Sequence, residues 1–310
     1  MAGIDLAALS ALRTLLRLLR DAVAAWNDDY AASMGAALAY YTLFSVAPLL
    51  LIVISVAGLI FGEDAARGEI MVQLQGLIGS DSAKAVESLL QSVNKPAKGV
   101  LGTLVGLVVL IIGATTVFGE LQDAMDRIWR VKPPASGGLL HLLRTRLLSL
   151  GMVLGIGFLL MVSLVVSAAL AALGRWWQPW LGQGQLLLAD TLNFVVSLAL
   201  MTMIFAQIYK WLPRVRLAWR DVWVGAAITS LLFTLGKTLI GYYIGRSGIA
   251  SAFGAAASLV VLLVWVYYSA QIFLLGAEFT RSYALQCGSQ RGQQQPPLHQ
   301  QVSVPERPAP

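Results

Sequence analysis

Six long apolar stretches set the terms for what this chain can become: about Leu38–Phe61, Val100–Phe118, Leu147–Leu173, Leu186–Ile208, Val222–Ile244 and Ala255–Ala277. A helix needs about 20 mostly apolar residues to cross the hydrocarbon core of a bilayer. All six come close to that length or exceed it. They are rich in Leu, Val, Ala and Gly and lack the two-residue alternation of a membrane barrel. Backbone groups in lipid must find their hydrogen bonds within their own segment, so helices are the expected solution. The expected fold class is therefore all-α, a polytopic membrane protein with six transmembrane helices plus amphipathic surface helices. Composition supports this, since 57% of the residues are hydrophobic and only 12% charged, against roughly 25% charged in a soluble domain. That balance excludes an ordinary soluble enzyme and, for most of the chain, disorder. Arg13, Arg17 and Arg20 interrupt the first thirty-five residues, so no cleaved leader is expected.

Charge placement predicts the orientation. Fifteen of the 22 Lys and Arg residues fall in the N-terminal segment, the loops after spans two and four, and the C-terminal tail. Six lie on the other side, and Lys237 lies inside span five. The positive-inside rule then puts both termini in the cytoplasm. Trp176, Trp177 and Trp180 fall at the expected outer boundary and Trp211, Trp219 and Trp223 at the inner one, as in aromatic belts. The net charge of +6 is thus topological and no sign of nucleic-acid binding.

Three regions follow. Residues 1–35 form a cytoplasmic N-terminal segment whose stretch Ile4–Ala25 reads as an amphipathic helix. Arg13, Arg17 and Arg20 share one stripe opposite Leu12, Leu15, Leu18 and Leu19. That pattern suits a helix at the membrane surface whose arginines meet anionic lipid headgroups, and equally one whose leucines pack on the protein's own end. Residues 36–281 form the transmembrane domain, with an outer loop at 62–99. There Ile70, Leu74, Leu77 and Ile78 make one helical stripe and Val86, Leu89, Leu90 and Val93 another, with Ser80 and Asp81 as candidate N-caps between them. Such helices should cover the bundle. Residues 282–310 are rich in Gln and Pro and read as a disordered cytoplasmic tail.

Chemistry-bearing residues are few. The single cysteine, Cys287, and two distant histidines, His141 and His299, leave no basis for an internal disulfide or a Cys or His metal cluster. No Walker loop, H-E-x-x-H or G-x-S-x-G occurs. No catalytic, cofactor-binding or metal-binding residue is expected, and no enzyme activity. Intramembrane polar or helix-breaking residues are the candidates that remain, because charge at mid-bilayer costs roughly 2.5–3.5 kcal/mol on insertion scales. They are Pro48, Asp190, Asn193, Lys237, Gln271 and Glu278. Asp190 and Lys237 stand at similar depth on neighbouring spans and could pair. Gln271 and Asn193 suit interhelical hydrogen bonds. Pro48 removes a helical donor and leaves the Phe44 carbonyl unpartnered. Glu278 reads as interfacial, within reach of Arg281, Arg214 or Arg216. Glu120, Asp123 and Asp126, followed by Arg127, Arg130 and Lys132, read as a charged helix with internal i,i+4 pairs. Gly102-x-x-x-Gly106, Gly151-x-x-x-Gly155 and Gly241-x-x-x-Gly245 allow close helix approach.

Four stretches resemble the YihY/BrkB family of bacterial inner-membrane proteins: Ala36–Gly62, Leu121–Pro133, Leu212–Lys237 and Ser251–Thr280. The Ser-x-x-Pro of span one and the Leu-Gly-Ala-Glu ending at Glu278 are the most specific pieces. The chain departs from the family's usual Asn at Asp126. The resemblance implies a six-helix protein of the bacterial inner membrane. Members are linked to virulence and to handling of envelope lipids, and many carry the name ribonuclease BN, which this residue set does not support. The expected function is transport or translocation of a lipid or other amphiphile, with a non-transporting scaffold for envelope assembly as the alternative.

Overall fold

The computed structural model describes residues 2–93, 100–131, 184–246 and 256–292, together with Gly151, Gly155 and Phe253. Among them are eight helices: α1 (Ala2–Asp28), α2 (Ala31–Phe61), α3 (Glu63–Ile78), α4 (Ser80–Val93), α5 (Val100–Ile128), α6 (Gly184–Trp211), α7 (Trp219–Arg246) and α8 (Ala257–Gln286). Four stretches of these helices are long and apolar enough to cross a membrane: Ala31–Leu59, Phe194–Trp211, Trp219–Ile244 and Leu259–Gln286. They correspond to the first, fourth, fifth and sixth apolar segments. The expected second span is the apolar first part of α5, while the third, Leu147–Leu173, lies outside the described residues apart from Gly151 and Gly155. Trp176, Trp177 and Trp180 lie outside them too.

The surface of the bundle is that of a protein solvated by hydrocarbon. On α7, Leu231, Leu235, Leu239 and Tyr242 are exposed along one stripe, and Leu59 on α2 is 88% exposed. A continuous apolar face of this kind has no counterpart in a water-soluble monomer. Trp211, Trp219 and Trp223 are also exposed, where the end of α6 meets the start of α7. They cluster at one end of the bundle, as an aromatic belt would.

α8 is the organising element, packing most extensively on α1, α2, α4, α5 and α7 and bonded to α6 through Tyr209. Its crossing with α7 is close because glycine faces a hydroxyl-bearing residue in both directions. Gly225 on α7 lies against Thr280 on α8, and Gly276 on α8 lies against Thr229 on α7 and the Tyr209 hydroxyl of α6. Small residues let helix backbones approach where no hydrophobic effect drives association. Side-chain hydroxyls then join the helices: Tyr209 donates to the Phe273 carbonyl at 2.8 Å, and Thr202 and Ser230 are paired at 2.7 Å. The repeats singled out from sequence are not these contacts. Gly241 faces open space, and a Cβ added at Gly155 would meet only Gln207, at 3.8 Å. The side chains around Gly102, Gly106 and Gly245 lie outside the described set.

The loop after α2 folds as expected into two helices, which break at Gly79 (φ +82°), with Ser80 opening the second. Glycine adopts that conformation without steric cost. The Asp81 side chain lies outside the described set. The buried residues of α4, Val86 and Leu90 among them, pack with Leu50 and Ile54 of α2 and Leu262 of α8, so this pair of helices covers the bundle. α1 is continuous from Ala2 to Asp28. Leu18 and Ala22 are buried against Phe279 of α8, while Leu15, Leu16 and Val23 are exposed. The helix therefore packs on the protein with one face and leaves a second apolar face free. At the other end, α8 runs to Gln286, past the expected boundary at 281, and a turn through Gly292 follows. Buried Asp221 of α7 accepts hydrogen bonds from the Ser289 backbone N–H and hydroxyl and fixes that turn.

Candidate functional site

Two features stand out as sites, one apolar and one charged. The apolar one is a crevice of about 160 Å³ between α2, the α3–α4 pair and α8. Leu43 and Val46 from α2, Leu74 and Ile78 from α3, and Leu262 and Val266 from α8 contribute to its wall. Thr42 supplies one hydroxyl, and the rest of the lining is apolar. An apolar void of about 150 Å³ stays dry and holds a benzene-sized guest. This one therefore has room for several methylenes of an alkyl chain and nothing to offer a polar headgroup.

The charged feature sits where the α1–α2 junction, the end of α5 and α8 meet. Asp29 is 2% exposed, Glu278 is fully buried and Arg281 is 7% exposed. Arg130 Nη2 lies 3.8 Å from Asp29 Oδ1, and Arg281 Nη1 lies 3.7 Å from Glu278 Oε2. The local backbone explains how the groups converge. α5 ends with Arg130 N–H bonded to the Arg127 carbonyl and Val131 N–H to the Asp126 carbonyl, a Schellman ending. Arg130 occupies its left-handed position at φ +54°. Tyr30, directly after Asp29, is left-handed as well, at φ +57°. Glycine usually fills such places, because a Cβ costs roughly 1–2 kcal/mol there. These are the two non-glycine residues with positive φ among the described residues, and both belong to this cluster.

A second ion pair lies beside it. Asp126 accepts the Arg214 backbone N–H at 2.9 Å and pairs with the Arg214 guanidinium at 3.1 Å. Two members of the acidic and basic stripe at the end of α5 thus partner other elements: Asp126 reaches the α6–α7 loop and Arg130 reaches Asp29. Burial raises the Asp126 carboxyl above its ordinary range, against the pull of Arg214. A carboxyl raised on folding adds stability below its unfolded value, and that stability is lost as pH rises through the folded value. Asp126→Asn keeps an acceptor for the Arg214 N–H, so its cost should stay within about 1 kcal/mol. The advantage of wild type over this variant should shrink as pH rises through the acid range in unfolding titrations; a constant difference would mean that the proton is bound elsewhere.

The sequence candidates take separate places. Pro48 lies within an unbroken α2 and packs on Gly113 of α5, which also stands beside the freed Phe44 carbonyl. Gln271 donates to the Ala32 carbonyl at 3.4 Å and lies against Gly35, joining α8 to α2. Lys237 is exposed. It is two turns from Ser230 and so on the flank of α7 that meets α6. Asp190 and Asn193 belong to α6, but their side chains, and so any pairing of Asp190 with Lys237, lie outside the described set. Glu278 is fully buried. It pairs with Arg281 and not with Arg214, which is committed to Asp126. Asp29 was missed. The signal for it was the acidic pair Asp28–Asp29, placed directly before a span on the side where basic residues predominate. Arg13, Arg17 and Arg20 are exposed on α1. Among the described residues no group of three or more His, Cys, Asp or Glu could hold a metal.

A multi-pass helical membrane protein with a buried charge cluster at one end and an apolar crevice under a helical cover is the class these features define. Residues 22–300 match the family described as virulence factor BrkB, and the chain belongs to it. A UPF0761 membrane protein of Pseudomonas aeruginosa is 32% identical over 251 residues, 80% of this chain and 58% of the relative. One from Alcanivorax borkumensis is 30% identical over 284 residues, 90% of this chain and 62% of the relative. One from Tolumonas auensis is 29% identical over 260 residues, 82% of this chain and 81% of the relative. The chain thus spans about three fifths of the length of the first two. No solved structure matches it.

Proposed function

We propose that this chain crosses the bacterial cytoplasmic membrane six times with both termini inside, and that it moves a lipid or other amphiphile during envelope assembly without covalent chemistry. The observation that carries the reading is the crevice. Its walls come from two candidate spans, its cover from α3 and α4, and its lining suits an alkyl chain. A lipid tail entering it exchanges one apolar environment for another, at little cost, while the headgroup stays outside. The free apolar face of α1, with Arg13, Arg17 and Arg20 beside it, would lie on the inner leaflet and hold anionic headgroups near the bundle.

Liposomes carrying a fluorescent phospholipid test this. Wild-type protein should carry label between leaflets, faster when anionic lipid is present. Val46→Phe, which fills the crevice, should slow the movement. Filling a void usually adds about 0.5–2 kcal/mol of stability, so slowing without loss of fold would place the effect in the crevice. Label that stays put with intact wild-type protein would end the transport reading and leave a scaffold for envelope assembly. Replacing the three arginines by Gln should remove the dependence on anionic lipid.

A further inference from the structure

The Asp29–Glu278 contact pairs two groups that, when ionised, can only accept. Both are buried, each beside an arginine of the same cluster, and Asp29 bears on Glu278 directly. Yet Asp29 Oδ2 and both Glu278 oxygens have no hydrogen-bond partner, and all three are buried. A carboxylate becomes a donor only by taking up a proton. One proton on Glu278 would let its O–H donate to Asp29 Oδ2, turning a repulsive contact into a bond between α8 and the α1–α2 junction. We infer that Asp29 and Glu278 together bind one exchangeable proton, and that its arrival and departure couple lipid movement to the proton gradient. The coupling half rests on the transport reading above; the proton site does not.

Neighbouring charges leave this role to the pair. Arg130 and Arg281 are the cations that bear on Glu278. With Asp29 and Glu278 ionised the four groups sum to zero, so the cluster offers no excess negative charge to hold a metal cation. A proton takes it to +1 and leaves Arg281 facing a neutral acid. Five other titratable groups of the packed elements are engaged elsewhere. Asp21 of α1 accepts from Gln286, Asp126 of α5 pairs with Arg214, and Asp221 of α7 holds Ser289. On α6, Tyr209 is bonded to Thr229 and the Phe273 carbonyl, and Lys210 to the Leu217 carbonyl. The two left-handed residues add a conformational reason. Tyr30 and Arg130 hold strained backbone beside the site, and such strain persists where the surroundings over-determine it, often at switches. Proton binding draws the α1–α2 junction onto α8; proton release sets two carboxylates against each other and lets the junction relax.

The full-length protein in lipid nanodiscs provides the test, by infrared difference spectra between acid and alkaline pH. Wild type should show a protonated-carboxyl band that titrates, and Glu278→Gln and Asp29→Asn should each remove it; if one variant fails to fold, the other carries the measurement. In vesicles with fluorescent phospholipid, an imposed proton gradient should change the wild-type rate about five-fold or more, within the usual range of coupling, and Glu278→Gln should lose that response. No titrating band in wild type, or a band surviving both substitutions, overturns the site. Movement that ignores the proton gradient or follows a sodium gradient overturns the coupling. A band lost in both variants with no lipid movement in wild type keeps the site and removes transport.

Discussion

Arg281→Ala should destabilise the bundle by about 3–5 kcal/mol, the usual cost of stripping the partner from a buried ion pair. Arg281 is paired with a Glu278 that has no exposed surface, so removing the guanidinium leaves a buried carboxylate without its ion-pair partner and with Arg130 as the remaining cation that bears on it. The measurement is unfolding in mixed micelles, followed by tryptophan fluorescence at alkaline pH so that Glu278 stays charged. Adding Glu278→Gln should recover most of the loss, because a neutral amide needs no counter-ion. That recovery separates lost charge compensation from lost packing. A double variant as unstable as Arg281→Ala alone would mean that the arginine acts through its stem and not its charge.

Gly276→Ala is the second large effect, and its sign is the informative part. In an unobstructed helix, exchanging Gly for Ala stabilises by about 1 kcal/mol. At Gly276 a methyl would overlap Thr229 and fall 2.6 Å from the Tyr209 hydroxyl. Overpacking of this kind costs about 1–3 kcal/mol, and here it would also push apart helices joined by Tyr209. Thr229→Ala removes the obstructing atoms, so it should rescue Gly276→Ala in part while Tyr209 keeps its bond to the Phe273 carbonyl. Gly241→Ala, on the same α7–α8 pair but facing open space, should be neutral or mildly stabilising in the same thermal unfolding assay. Equal responses at the two glycines would show that the α7–α8 crossing is looser than described.

Apolar run length made four candidate spans legible, because that signal depends on composition within a segment and not on its neighbours. The α3 and α4 stripes were legible for the same local reason. Partnership was not. Asp126 and Arg130 are four apart on α5, which invites an i,i+4 reading, yet each finds its counter-charge far away in the chain, at Arg214 and Asp29. Nothing local encodes such a pairing; it follows from which helix ends meet. Glycine spacing did not point to the close approaches that the described residues show, for a related reason. G-x-x-x-G describes one helix approaching another like itself, whereas here single glycines oppose Thr229, Thr280, Pro48 or Gln271 on a different helix. Pro48 and Gln271 were rightly singled out as unusual residues inside spans. Their observed roles are packing contacts, and the crevice formed instead from ordinary Leu, Ile and Val side chains that sequence gives no reason to choose.

That α8 packs against most of the other described helices has a consequence for how the protein is made. It leaves the ribosome after the other described helices, yet it supplies the surfaces that α1, α2, α4, α5 and α7 rest on. Until it is inserted, Asp29 and Arg130 can pair only with each other, and the glycine-lined flank of α7 has nothing to close against. Contacts between such distant parts of a chain form late and slowly. Until its last described span arrives, the newborn protein therefore lacks the surface on which its earlier helices come to rest.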